Sequence, residues 1–68
     1  MFTSEQDLYK AFGDRLLLTR SHARLTMTAV AEVAGVNRKT WASYERGYSA
    51  PDAIHLQRLK EAYGWDLI

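Results

Sequence analysis

The stretch Gly35-Val36-Asn37-Arg38-Lys39-Thr40-Trp41-Ala42-Ser43-Tyr44-Glu45-Arg46-Gly47 begins and ends on glycine, with helix-compatible residues between. Asn37 suits an N-cap, because its side-chain oxygen can accept from an N–H of the first turn. A helix from Arg38 to Arg46 should follow, with Gly47 ending it. Trp41 and Tyr44, three apart, share its inward face, joined by Glu45. Arg38 and Lys39 then open the helix, where the dipole disfavours an exposed cation by roughly 0.3–1 kcal/mol. Helix stability does not recommend that placement. A polyanion outside the protein would.

Working outward, Thr26 can cap a short helix, Met27 to Ala34, with Val30, Ala31 and Val33 or Ala34 inward. Gly35 can take the left-handed conformation at its C-terminal end without steric cost. The two helices are therefore joined by about three residues, Gly35-Val36-Asn37, which makes a helix-turn-helix. Before it, Ser4 can cap a first helix with Glu5 and Asp7 in its opening turn. Leu8, Phe12, Leu16 and Thr19 or Arg20 recur at helical spacing on it, and it should fade near Ser21 and His22. Leu16, Leu17 and Leu18 are consecutive, so at least one faces outward or meets a partner. After Gly47, Tyr48-Ser49-Ala50 reads as a loop, and Pro51 and Asp52 as the entry to a last helix. Its apolar face should be Ala53 or Ile54, then Leu56, Leu59 and Tyr63, with Gly64 as the stop. The final WDLI is apolar at three of four positions and should dock on its own core or on a second subunit.

The chain has 68 residues, 47% of them apolar and none cysteine, which allows one small core without disulfide or thiolate metal support. We expect one domain over residues 1–68, with the helix-turn-helix at about 27–46 and residues 65–68 as a dimer element. The acidic start MFTSEQDLYK has no apolar signal core, and no run reaches the roughly 20 residues of a membrane span. A cytoplasmic protein without membrane contact is the expectation. Met1 and the lack of a trailing linker suggest a complete small product. The net charge is only +1. Its distribution says more, since Arg15, Arg20, Arg24, Arg38, Lys39 and Arg46 crowd the middle against Glu32 and Glu45. Such a cluster fits a polyanion footprint. His22 and His55 stand alone, without ligands at metal spacing. No nucleophile–base motif, phosphate loop or paired carboxylate appears. We therefore expect no enzyme activity, metal, cofactor or small-molecule ligand.

These residues resemble the Cro/C1-type helix-turn-helix family of phage and bacterial repressors. The residues in register are Arg20, Leu25, Thr26, Val30, Ala31, Gly35, Val36, Asn37, Thr40, Trp41, Tyr44, Glu45, Gly47 and Pro51. The likeness continues through Leu56, Leu59, Ala62, Gly64 and Leu67. The resemblance implies an all-α, lambda-repressor-like domain of four to five helices. It implies a homodimeric regulator, a repressor above all, bound to a two-fold site on double-stranded DNA. By position, Arg38, Lys39, Ser43 and Asn37 match base-reading residues, and cations suit guanine edges. Thr28, Arg46, Tyr48 and Ser49 are the phosphate candidates. Arg20 and Glu45 match a partly buried ion pair that ties the first helix to the recognition helix. Met27 stands where the family has a glutamine, Lys60 where a small residue is common, and the chain stops four residues after Gly64. A rival reading keeps the fold but binds a protein partner and reads little DNA; the apolar tail and low net charge favour it.

Overall fold

The computed structural model describes residues 4–67 as four helices: α1 (Glu5–His22), α2 (Met27–Ala34), α3 (Arg38–Arg46) and α4 (Ala53–Tyr63). Residues 1–3 and Ile68, which the expected 1–68 domain includes, lie outside the described residues. No fifth helix follows Gly64 as far as Leu67.

The starts of α1, α2 and α3 are capped by the side chains the sequence offers. Ser4 Oγ accepts from the Asp7 N–H at 3.2 Å, Thr26 Oγ1 from Ala29 at 3.1 Å and Asn37 Oδ1 from Thr40 at 2.7 Å. Gly35 ends α2 at φ 87°, donating to Ala31 and Glu32 carbonyls, and so turns the chain into α3. Pro51 lies just outside α4, and Asp52 occupies its N-cap without a side-chain cap bond.

α3 packs on α1 and α2, and α4 covers α2. Leu16, Val30, Ala34, Trp41 and Leu59 are fully buried at the centre. Two expected core positions are not in the core. Leu8 is 52% exposed, because Gln6 and Lys10 make the contact with the end of α3 and Leu8 lies on another side of α1, and Ile54 is 68% exposed. Ala53 is exposed as well, so the inward face of α4 is His55, Leu56, Leu59 and Tyr63. His55 Nδ1 lies 2.8 Å from the Ala34 carbonyl, which ties α4 to the end of α2. Of the three consecutive leucines, Leu16 is buried and Leu17 and Leu18 are exposed. The tail folds back on its own domain. Leu67 is buried, and Trp65 packs on the core and stacks on Tyr63 at 4.6 Å between ring centres. Within the expected dimer element at 65–68, Leu67 is thus buried in its own chain and Trp65 half-buried, while Asp66 is exposed.

Candidate nucleic-acid interface

α3 sits against α1 at unusually close range. A Cβ on Gly13 would lie 2.7 Å from the Glu45 carbonyl oxygen, and one on Gly47 would lie 2.6 Å from the Lys10 Cα. Both glycines are buried. Only residues without side chains let the two backbones meet there. Gln6 adds a hydrogen bond across the same junction, from Nε2 to the Gly47 carbonyl at 2.8 Å.

A polar network fixes how α3 is rotated on this seat. Arg20 grips Glu45 with two nitrogens, Nε to Oε2 at 2.6 Å and Nη2 to Oε1 at 3.1 Å. Its third nitrogen, Nη1, donates to the Leu25 carbonyl at 2.9 Å. The buried Trp41 donates its indole N–H to Glu45 Oε2. Glu45 is 7% exposed, so its charge is tolerated only because these donors surround it. The hydrogen bond to Glu45 holds the Arg20 guanidinium above its ordinary pKa. Burial, reinforced by Asp52, raises the Tyr44 phenol above its ordinary value. Trp41 and Tyr44 meet edge to face at 5.8 Å. Neither aromatic is available as a stacking platform for bases.

With Trp41, Tyr44 and Glu45 turned in, the opposite side of α3 is free. Lys39, Ser43 and Arg46 follow one another at i, i+4 and i+7, a single stripe. Lys39 and Arg46 are exposed and Ser43 is half-buried. Arg38 is exposed at the first position of the helix, in the row that continues to Ala42. Asn37 has its oxygen committed to the cap, so only its NH₂ remains to donate outward. Around this stripe, Thr28 is exposed in the first turn of α2, Tyr48 is 69% exposed in the α3–α4 loop and Ser49 is half-buried beside it. The first turn of α2 and the first turn of α3 also carry N–H groups that no helical carbonyl can reach.

Between α1 and α3 runs an open groove of about 490 Å³, lined in part by Lys10, Leu17, Met27, Ala42, Arg46 and Tyr48. Met27, at the position where a glutamine was expected, contributes a thioether to its floor instead of a donor. Lys10 on its wall is held by Asp14 at 2.6 Å. Arg15 and Arg24 are both exposed, and Arg24 adopts a left-handed backbone, φ 58°, to close α1.

The sequence matches the family model for a helix-turn-helix domain over residues 11–67. The chain belongs to the helix-turn-helix domain family. Comparison with curated proteins and with solved structures returns no match. In this helix-turn-helix protein the match takes in α2, α3, α4 and all but the first six residues of α1. Among the described residues, no helix is long and apolar enough to cross a membrane, and no cluster of three acidic, histidine or cysteine side chains could hold a metal ion. Gly13 and the Trp41 indole are parts of the site that spacing arguments pass over. The one signal for Gly13 was a glycine inside a helix, where it costs about 1 kcal/mol relative to alanine.

Proposed function

We propose that the protein binds double-stranded DNA sequence-specifically, with α3 in the major groove, and acts as a homodimeric transcriptional repressor on a two-fold operator in the cytoplasm. One observation carries the reading: Arg38 and Lys39 stand exposed at the start of a helix whose rotation is locked from behind by Arg20, Glu45 and Trp41. Helices laid in the major groove present their N-terminal residues to base edges. There Arg38 and Lys39 serve as guanine readers, with Ser43 one turn further along and the Asn37 NH₂ beside them. Thr28, Arg46, Tyr48 and Ser49 clamp phosphates on either side. A second copy doubles these few contacts and reads a half-site about 34–36 Å away. Repression is the mode that the resemblance to Cro/C1-type proteins implies.

The test is selection of bound sequences from a random duplex pool, followed by titration of variants against the selected site and random DNA. Arg38→Ala should cost about 1–3 kcal/mol on the selected site and relax preference at one position per half-site. Arg46→Ala should weaken both DNAs alike and flatten the salt dependence by about one unit. Identical profiles for the two would end the division into readers and clamps. If the pool yields no enriched sequence and neither variant changes duplex binding, the domain is a protein-interaction module instead.

A further inference from the structure

We propose that α1 is the dimer interface, pairing antiparallel with α1 of a second copy so that Leu8 of each chain packs against Leu18 of the other. This rests on the homodimeric reading above and names its surface. Leu8 and Leu18 are 52% and 59% exposed, far more than the other leucines of the molecule save Leu17. They belong to one row, Leu8, Ala11, Arg15 and Leu18, spaced three, four and three residues apart. That is the seam spacing by which two helices pair along their length. Leu8, Ala11, Phe12 and Arg15 already line a shallow groove of about 280 Å³ on this face.

Charge chooses the occupant and its direction. The first turn of α1 carries Glu5 and Asp7, whereas its C-terminal half carries the exposed Arg15 on the seam and ends on His22; Arg20, turned to the other side, is spent on Glu45. A parallel copy would bring like ends together, whereas an antiparallel copy sets the acidic end of each helix against the basic end of the other. The helix dipoles then oppose as well. In the register that matches Leu8 with Leu18, Ala11 faces Arg15. The small side chain leaves room for the arginine stem, and the guanidinium extends toward the acidic first turn of the neighbouring helix.

The geometry also suits a shared duplex. Lys10, Asp14 and Leu17, which border α3 across the groove, lie about a third of a turn round α1 from the proposed seam. A two-fold axis normal to the helix pair therefore keeps the α3 edges of both copies on one side. One helix from each chain buries less than the roughly 1,200–2,000 Å² of a stable interface, so the free dimer is weak and the DNA completes it.

The experiment uses the absence of native cysteine. Leu8→Cys and Leu18→Cys chains are prepared separately, mixed at millimolar concentration and oxidised mildly. The expected product is the mixed disulfide, in excess over either homodimer. In parallel, sedimentation equilibrium should show Leu18→Glu weakening the dimer by at least about tenfold. Adding an equimolar amount of Leu8→Lys chain should restore association. Both positions are more than half exposed, and circular dichroism checks that each variant stays folded. Three results would each overturn the interface: wild-type protein monomeric at millimolar concentration, Leu18→Cys homodimers predominating, or a dimer indifferent to Leu18→Glu. Duplex binding by each variant is measured separately. Mixed cross-linking without duplex binding leaves the interface and removes the DNA reading, and the reverse removes the interface alone.

Discussion

The junction of α1 with α3 and the junction of α4 with the C-terminal tail are built on different principles. At the first, backbones touch through Gly13 and Gly47, and Arg20, Glu45 and Trp41 add directional bonds whose geometry allows one rotation of α3. At the second, Leu67 and Trp65 are held by burial and ring stacking, beside an open groove of about 210 Å³ that Leu56 and Lys60 also line. Burial is non-directional and tolerates small shifts. Hydrogen-bonded charge in a dry site does not. The molecule places its strict constraint behind the helix that faces outward with Lys39 and Ser43, and its lenient one at the far end of the chain.

Breaking the strict junction should have the largest effect. Glu45→Gln or Arg20→Met removes one partner of a buried pair, which can cost about 3–5 kcal/mol. Arg20 keeps 14% of its side chain in solvent, so its loss falls at the lower end. Urea denaturation measures the cost, and DNA affinity should fall with it because α3 is free to rotate. A double-mutant cycle without coupling would refute the lock. Next, Leu67→Ala should lower stability by about 2 kcal/mol, the lower bound for burying less leucine. If the tail is the lenient junction, affinity for the selected DNA per folded molecule should not change. A loss of affinity at full folding would show that the tail, too, positions α3.

Gly13→Ala sharpens the contrast through its sign. At an exposed helix site the change would stabilise by about 1 kcal/mol. Here the new Cβ meets the carbonyls of Tyr44 and Glu45, so the variant should lose about 1–3 kcal/mol in the same denaturation assay. A neutral or stabilising result would mean that the two helices are free to separate. The smallest expected effect is on alkaline stability. Tyr44 has a raised pKa through burial, so the folded chain keeps its phenol proton where the unfolded chain has lost it. Its contribution is complete below the ordinary tyrosine value near 10 and declines as pH rises from there through the folded pKa. Thermal melts between neutral and strongly alkaline pH should show the decline, and Tyr44→Phe should remove that part of it.

Local chemistry made the helix limits legible in advance. Thr26, Asn37, Gly35, Gly47 and Gly64 act within a turn of their own backbone, so capping oxygens and left-handed glycines mark α2, α3 and the end of α4 without reference to the rest of the chain. The end of α1, expected near Ser21 and His22 and found at His22, carries no such glycine; Arg24 takes the left-handed position that glycine fills elsewhere. The inward face of α3 was legible too, because Trp41, Tyr44 and Glu45 share one side of a helix at fixed spacing. The outward side of Lys39 and Ser43 follows from the same spacing, whereas Arg38, three before Trp41 and seven before Glu45, is exposed because it opens the helix.

Periodicity says which residues share a face but not what covers it. Leu8 and Leu16 both belong to apolar spacings on α1, yet only Leu16 has another helix above it. Ile54 met the same fate at the open start of α4. Whether Leu67 turned inward or toward another chain depended on how much of the core the four helices left uncovered, a property of their packing. The close approach of Gly13 to the Glu45 carbonyl and of Gly47 to Lys10 likewise required the angle between α1 and α3. That angle is settled by contacts between residues far apart in sequence, such as Gly13 with Glu45 and Gln6 with Gly47, and no local propensity encodes it.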